Sequence, residues 1–224
     1  MKSTISQGRR TRSAVENRLT RADPAIGRVI AAVIARVGLQ RIVPSRAVPF
    51  EALARAVVYQ SISGKTGASI FASLKATVAP PLTPSKILAL SQKSLTSVGL
   101  SSIKTRTIRE LARWFISNPK LASALHRLPD DEVIEHLTAI RGIGTWTANV
   151  FLIFSLGRRD VMPAADLGIR RGLQLADDLR AIPTQKRVLE RSRAWSPYRS
   201  VASIYLWQAV KLRLRPNDLK QKVK

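Results

Sequence analysis

Apolar positions recur at helical spacing along most of the chain. Ile26, Val29, Ile30, Val33, Ile34 and Val37 fall three and four residues apart, the period of one helix face. Asp23 ahead of them suits an N-cap, Pro24 the first helical position and Gly38 the stop. Leu53, Val57 and Val58 predict a helix over residues 50–62, ending in Gln60-Ser61-Ile62-Ser63-Gly64. Ile70, Phe71 and Leu74 predict the next, from Lys65. Pro80, Pro81 and Pro84 then interrupt the chain. Two short helices follow, one capped by Ser85 and one over residues 92–98 that stops at Gly99. Ser102 opens a longer helix with Ile103, Ile108, Leu111, Ala112 and Phe115 on its apolar side. Asp130 caps another, with Val133, Ile134 and Leu137 inward. Helices are also predicted over 145–156, from Asp166, and over 184–194 and 198–213. The period-two alternation of a half-buried strand is absent. The pattern predicts an all-α fold of about ten helices with short connections, behind residues 1–22 as a basic arm or a loosely docked start.

Composition narrows the partners. Of 224 residues 45% are apolar, enough for a sizeable core, but 38 Lys and Arg stand against 14 Asp and Glu, a net charge of +24. A globular domain this basic repels itself. Nucleic acid is the first candidate partner, because Lys and Arg contacts to phosphate carry sequence-independent affinity; a solubilising surface or basic tail is the plainer alternative. The chain has no cysteine, which excludes disulfides, thiolate zinc sites and cysteine-bound iron–sulfur clusters. His126 and His136 have no partner pattern and read as surface or helix-end residues. No apolar run reaches membrane-spanning length. Residues 1–24 are polar and basic without an apolar signal region, so an arm is a simpler reading than an organelle leader.

Residues 137–149 read LTAIRGIGTWTAN. A helix runs into Gly142-Ile143-Gly144, and another begins at Thr145. The glycines permit positive φ and close backbone approach. The unpaired N–H groups that open the second helix form an anion site suited to a phosphate, while Ile143 turns back into the core. An ordinary helix–helix corner with a glycine cap would look the same locally. Nineteen residues after Gly144 comes Pro163-Ala164-Ala165-Asp166-Leu167-Gly168. Asp166 there is either an N-cap or a carboxylate with chemistry to do.

Four stretches, in order, decide between these readings: VVYQSIS (57–63), GLSSIK (99–104), the hairpin with its Pro-x-x-Asp run (about 130–172) and YRSVASIYLW (198–207). Together they resemble the helix-hairpin-helix superfamily of DNA glycosylases, and within it the 3-methyladenine DNA glycosylase II branch. The resemblance implies two helical lobes, about 50–155 and 23–49 plus 156–224, with the active-site cleft between them. It implies Asp166 as the catalytic carboxylate. It implies a base pocket of Trp146, Trp207 and, more weakly, Tyr59, and a sodium or potassium ion on the backbone of Ile140 and Gly142. DNA would be held by Gln60, Ser61, Ser63, Lys104, Gly142, Ile143, Gly144 and Thr145, with Arg106, Arg170 and Arg171 as further phosphate contacts. Relatives fill the gap left by the extruded nucleotide with Gln or Leu where this chain has Ser61, which leaves Gln60 and Ile62 as alternatives. Strand-cutting relatives carry a lysine where this chain has Trp146, so hydrolysis without strand cleavage is implied.

The expected activity is excision of alkylated purines, 3-methyladenine and 7-methylguanine, from double-stranded DNA. No organic cofactor, no membrane and a monomeric state are expected, in the cytoplasm and nucleoid of a bacterium or the nucleus of a eukaryote. The rival readings are a non-catalytic module using the same hairpin, a basic protein that compacts DNA, and a glycosylase for a deaminated base.

Overall fold

The computed structural model describes residues 13–45 and 47–220, and among them it contains no strand. The described residues form two compact units: one comprises Pro44–Gly157, the other the segments up to Val43 and from Arg158 onward.

The discontinuous unit holds α1 (Ala14–Ala22), α2 (Pro24–Val37), α11 (Leu167–Ala176), α12 (Gln185–Arg191), α13 (Arg199–Lys211) and α14 (Pro216–Lys220), with a 3-10 turn at Ser192–Trp195. α1 corrects the expectation of an arm over residues 1–22. Ser13 and Glu16 form a reciprocal capping box, and Leu19 is buried against α2. The buried Glu16 carboxylate accepts the Tyr205 hydroxyl at 3.0 Å. A basic, low-hydropathy segment is thus a docked helix, because one leucine and one satisfied carboxylate anchor it. Residues 1–12 of the expected arm lie outside the described residues.

Asp23 caps α2 by accepting the N–H groups of Ala25 and Ile26 at 3.0 and 3.3 Å. It also accepts Arg191 at 2.7 Å and the Trp195 indole N–H at 2.6 Å. Burial alone would raise its carboxyl pKa. The hydrogen bonds and charge of Arg191, with the Trp195 bond, prevail and hold it below the ordinary carboxylate value.

α11 and α13 pack unusually closely. A Cβ built on Gly172 would stand 2.7 Å from Leu206 Cβ and 2.9 Å from the Leu206 carbonyl oxygen. The start of α13 is stitched to the segment before α11. Asp160 accepts the Arg199 backbone N–H at 3.1 Å and its guanidinium at 2.8 and 3.0 Å, while Val161 N–H donates to Ser200 Oγ at 2.9 Å. The α11–α13 pair is therefore held at its crossing and again at the start of α13.

The continuous unit holds α3 (Pro49–Tyr59), α4 (Gly64–Val78), α5 (Pro84–Ala89), α6 (Gln92–Ser97), α7 (Ser102–Ser117), α8 (Pro119–Ala124), α9 (Asp130–Thr138) and α10 (Thr145–Phe154). α3 packs against α4, α7 and α10, and buries Leu53, Val57 and Val58 as expected. It stops at Tyr59, short of the predicted 62, because Gln60 swings to an extended ψ of 128° and Ser61 follows at a left-handed φ of 55°. Thr83 rather than Ser85 caps α5, and Pro129 precedes α9 with Asp130 at its first position. With α1, α8 and α14, none of them expected, the described residues hold fourteen helices, against about ten expected. Two predicted core positions lie outside: Val37 is 47% and Ile103 63% exposed. Each sits in the terminal turn of its helix, where the apolar stripe runs past the elements that cover it.

Candidate active site

The hairpin lies between α9 and α10. Ile143 N–H closes the turn on the Ile140 carbonyl at 3.0 Å, and both isoleucines are 4% exposed. Only Gly142 uses a left-handed backbone, at φ 90°. A Cβ there would lie 2.0 Å from Thr107 Oγ1 on α7, so the glycine is required twice, by conformation and by contact. Gly144 is different. Its φ of −101° suits any residue, and a Cβ would meet nothing within 4 Å. No protein contact demands a glycine there; close approach of an outside group would. Gly144 is also the N-cap of α10, and no side chain caps that end. Thr145 is exposed and Trp146 half-buried in the first turn. The helix start thus presents backbone donors at the surface, as an anion site requires.

The turn after α3 is joined to this hairpin. Gln60 Nε2 donates to the Gly142 carbonyl at 3.2 Å and to Thr147 Oγ1 at 2.9 Å. Ser61 is exposed, and Ser63 caps α4 by accepting Thr66 N–H at 3.2 Å. Lys104 Nζ donates to the Val58 carbonyl at 2.8 Å, and burial pushes its ammonium below the ordinary lysine value. This lysine braces the carbonyl end of α3 rather than standing ready for phosphate alone. Tyr59 fits a base pocket poorly. The Arg55 guanidinium lies 4.9 Å over its ring, and a Cβ on Gly67 would meet that ring at 2.9 Å, so neighbours already occupy it. Of the carbonyls expected to hold a monovalent cation, Ile140 O accepts Ile143 N–H and Gly142 O accepts Gln60, each bond using one of that oxygen's two lone pairs. Among the described residues no cluster of His, Asp and Glu could hold a metal ion.

In the other unit the structure brings Asp166 and Trp207 together. Asp166 is the N-cap of α11, and its Oδ1 accepts Ile169 N–H at 2.8 Å. The same Oδ1 accepts the Trp207 indole N–H at 2.8 Å. A Cβ on Gly168 would lie 2.9 Å from both Asp166 Oδ1 and Trp207 Cδ1, so this glycine lets the indole reach the carboxylate. A capping bond alone needs no tryptophan. Two donors on one oxygen fix the carboxylate plane as well as its place. The sequence signal for this pairing is the Gly168 and Gly172 spacing, a small-residue face on α11 that lets α13 approach.

Of the other basic candidates, Arg170 Nε is given to the Pro183 carbonyl at 2.7 Å, while Arg106 and Arg171 are exposed. His126 is exposed, and His136 lies in the last turn of α9.

Residues 54–197, well over half of the chain, match the family of HhH-GPD superfamily base excision DNA repair proteins. The chain belongs to that superfamily. The DNA-3-methyladenine glycosylase 1 of Schizosaccharomyces pombe is 39% identical over 168 residues, 73% of this chain and 73% of the relative. The solved S. pombe 3-methyladenine DNA glycosylase Mag1 in complex with abasic DNA superposes with a TM-score of 0.78 at 34% identity, covering 89% of this chain and 97% of that one. A DNA-3-methyladenine glycosidase from Bacillus halodurans superposes with a TM-score of 0.72 at 30% identity, covering 91% and 93%. The all-helical architecture is that of the HhH-GPD superfamily, and DNA is the partner of this chain.

Proposed function

We propose that this chain is a monofunctional DNA glycosylase that hydrolyses the N-glycosidic bond of alkylated purines in duplex DNA and leaves an abasic site. The observation that carries the reading is the Asp166 carboxylate held through Oδ1 by Trp207 Nε1–H and Ile169 N–H. The names of the relatives, DNA-3-methyladenine glycosylases, support the substrate class.

Chemistry on a base inside a duplex requires the nucleotide to be extruded. Hairpin amides around Gly144 and Thr145 hold the backbone at phosphate. The half-buried Trp146 offers a π face, and a ring-alkylated purine is cationic, worth roughly 0.5–2 kcal/mol over an indole. The C1′–N bond breaks, and the base leaves with the bonding pair as a neutral molecule. Positive charge develops on the sugar, and a carboxylate fixed in advance stabilises it without reorganisation. Water adds its oxygen to C1′ and loses a proton. Trp146 stands where the resemblance places the lysine of strand-cutting relatives, so hydrolysis is the expected route.

The test uses methylated duplex DNA. Wild type releases 3-methyladenine or 7-methylguanine, and strands break only after alkali. Asp166→Asn releases base roughly a hundred- to a thousandfold more slowly, the scale of losing one preorganised electrostatic group. No base release by wild type removes the alkylation reading. A fully active Asn variant removes Asp166, and strand breaks without alkali remove the hydrolytic assignment.

A further inference from the structure

Gln60 is the first residue past α3, and its side chain points into the hairpin, not away from it. An amide nitrogen carries two hydrogens. One goes to Gly142 O, 82 residues away in sequence, and the other to Thr147 Oγ1. The Gly142 carbonyl only accepts, so the amide must present nitrogen to it; the orientation is set by chemistry. Gly142 is itself seated on Thr107 of α7, and Lys104 of the same helix holds the Val58 carbonyl near the end of α3. The turn at Ser61, the start of α7 and the hairpin apex are thereby tied into one body. Both amide hydrogens are spent on this tie, which fixes the point where the chain enters the exposed, left-handed Ser61.

We propose that Gln60 is a positioning residue that locks the Ser61–Ser63 turn to the phosphate-gripping hairpin through Gly142 and Thr147. The proposal rests on the glycosylase reading for the DNA that the hairpin grips, but the bracing role is tested by binding alone.

The experiment is a double-mutant cycle on the full chain, reading the Kd for a duplex with a central abasic site. Gln60→Ala and Thr147→Val each weaken binding, Gln60→Ala by roughly tenfold for two neutral hydrogen bonds. The double variant is no worse than Gln60→Ala, because both act through one contact. Gln60→Glu sets an oxygen against the Gly142 carbonyl and binds no better than Gln60→Ala, despite keeping a partner in the Thr147 hydroxyl. Multiplicative losses in the double variant or unchanged binding by Gln60→Ala would each overturn the proposal. Circular dichroism melting confirms that each variant is folded before it is scored. If wild type bound the abasic duplex but released no base, the glycosylase reading would fail while the cycle still decided the role of Gln60.

Discussion

Trp207→Phe isolates the contact on which the proposed chemistry depends. Phenylalanine keeps an aromatic face in the wall of α13 and removes the N–H that stands 2.8 Å from Asp166 Oδ1. Ile169 N–H, also at 2.8 Å, remains, so the carboxylate keeps its position as N-cap but loses the donor that sets its plane. A hydrogen bond to a charged group contributes about 1.5–3 kcal/mol, and 1.4 kcal/mol is about tenfold in rate. Single-turnover release of 7-methylguanine at saturating enzyme is therefore expected to fall by roughly ten- to a hundredfold. Affinity for a duplex containing an abasic site should stay within about twofold, because this bond orients a reacting group and does not touch phosphate. The melting temperature should fall by no more than roughly 3–12 °C, since 1 kcal/mol is worth about 2–4 °C in a chain of this size. A Trp207→Phe enzyme as fast as wild type would refute the orienting role. A loss of binding that matched the loss of rate would place Trp207 against DNA instead.

The α11–α13 contact predicts that Gly172→Ala, whose methyl would stand 2.7 Å from Leu206 Cβ, destabilises by about 1–3 kcal/mol despite alanine's better helix propensity; urea unfolding measures it, and base release should fall with it because Asp166 and Trp207 ride on the two helices. Gly144→Ala, with open space around its Cβ, should unfold within about 1 kcal/mol of wild type, yet lose most of its DNA affinity, so equal affinities would show that no group approaches there. Asp23, held below the ordinary carboxylate value despite its burial, contributes stability that is complete above its unfolded pKa of about 3.9 and is lost as pH falls through the lower folded value. Wild type should therefore lose stability in urea titrations below about pH 5 more steeply than Asp23→Asn, which should itself be weaker at pH 7 by about 1–3 kcal/mol; parallel pH profiles would contradict this.

What local sequence determines is helix identity. Periodicity placed α2, α3, α7 and α10 with their inward residues, since a stripe of apolar side chains has one way to leave water. Charge pointed to phosphate, and the spacing of Gly142 and Gly144 drew the hairpin. Even α1 carried its signal in Ser13-x-x-Glu16, a capping box overshadowed by basic neighbours. Asp166 was legible as an N-cap, which it is.

The rest was decided by contacts across long separations. No local rule pairs Asp166 with Trp207, or Gln60 with Gly142 and Thr147; each needs helices to meet at a set distance, and glycines or threonines at the crossing set it. The same holds for Tyr59, which meets Arg55 and Gly67, and for Lys104, which meets the end of α3. A side chain's type states which bonds it can make. Only packing states which partner arrives first, and for a donor or an aromatic face that partner determines what remains for a ligand.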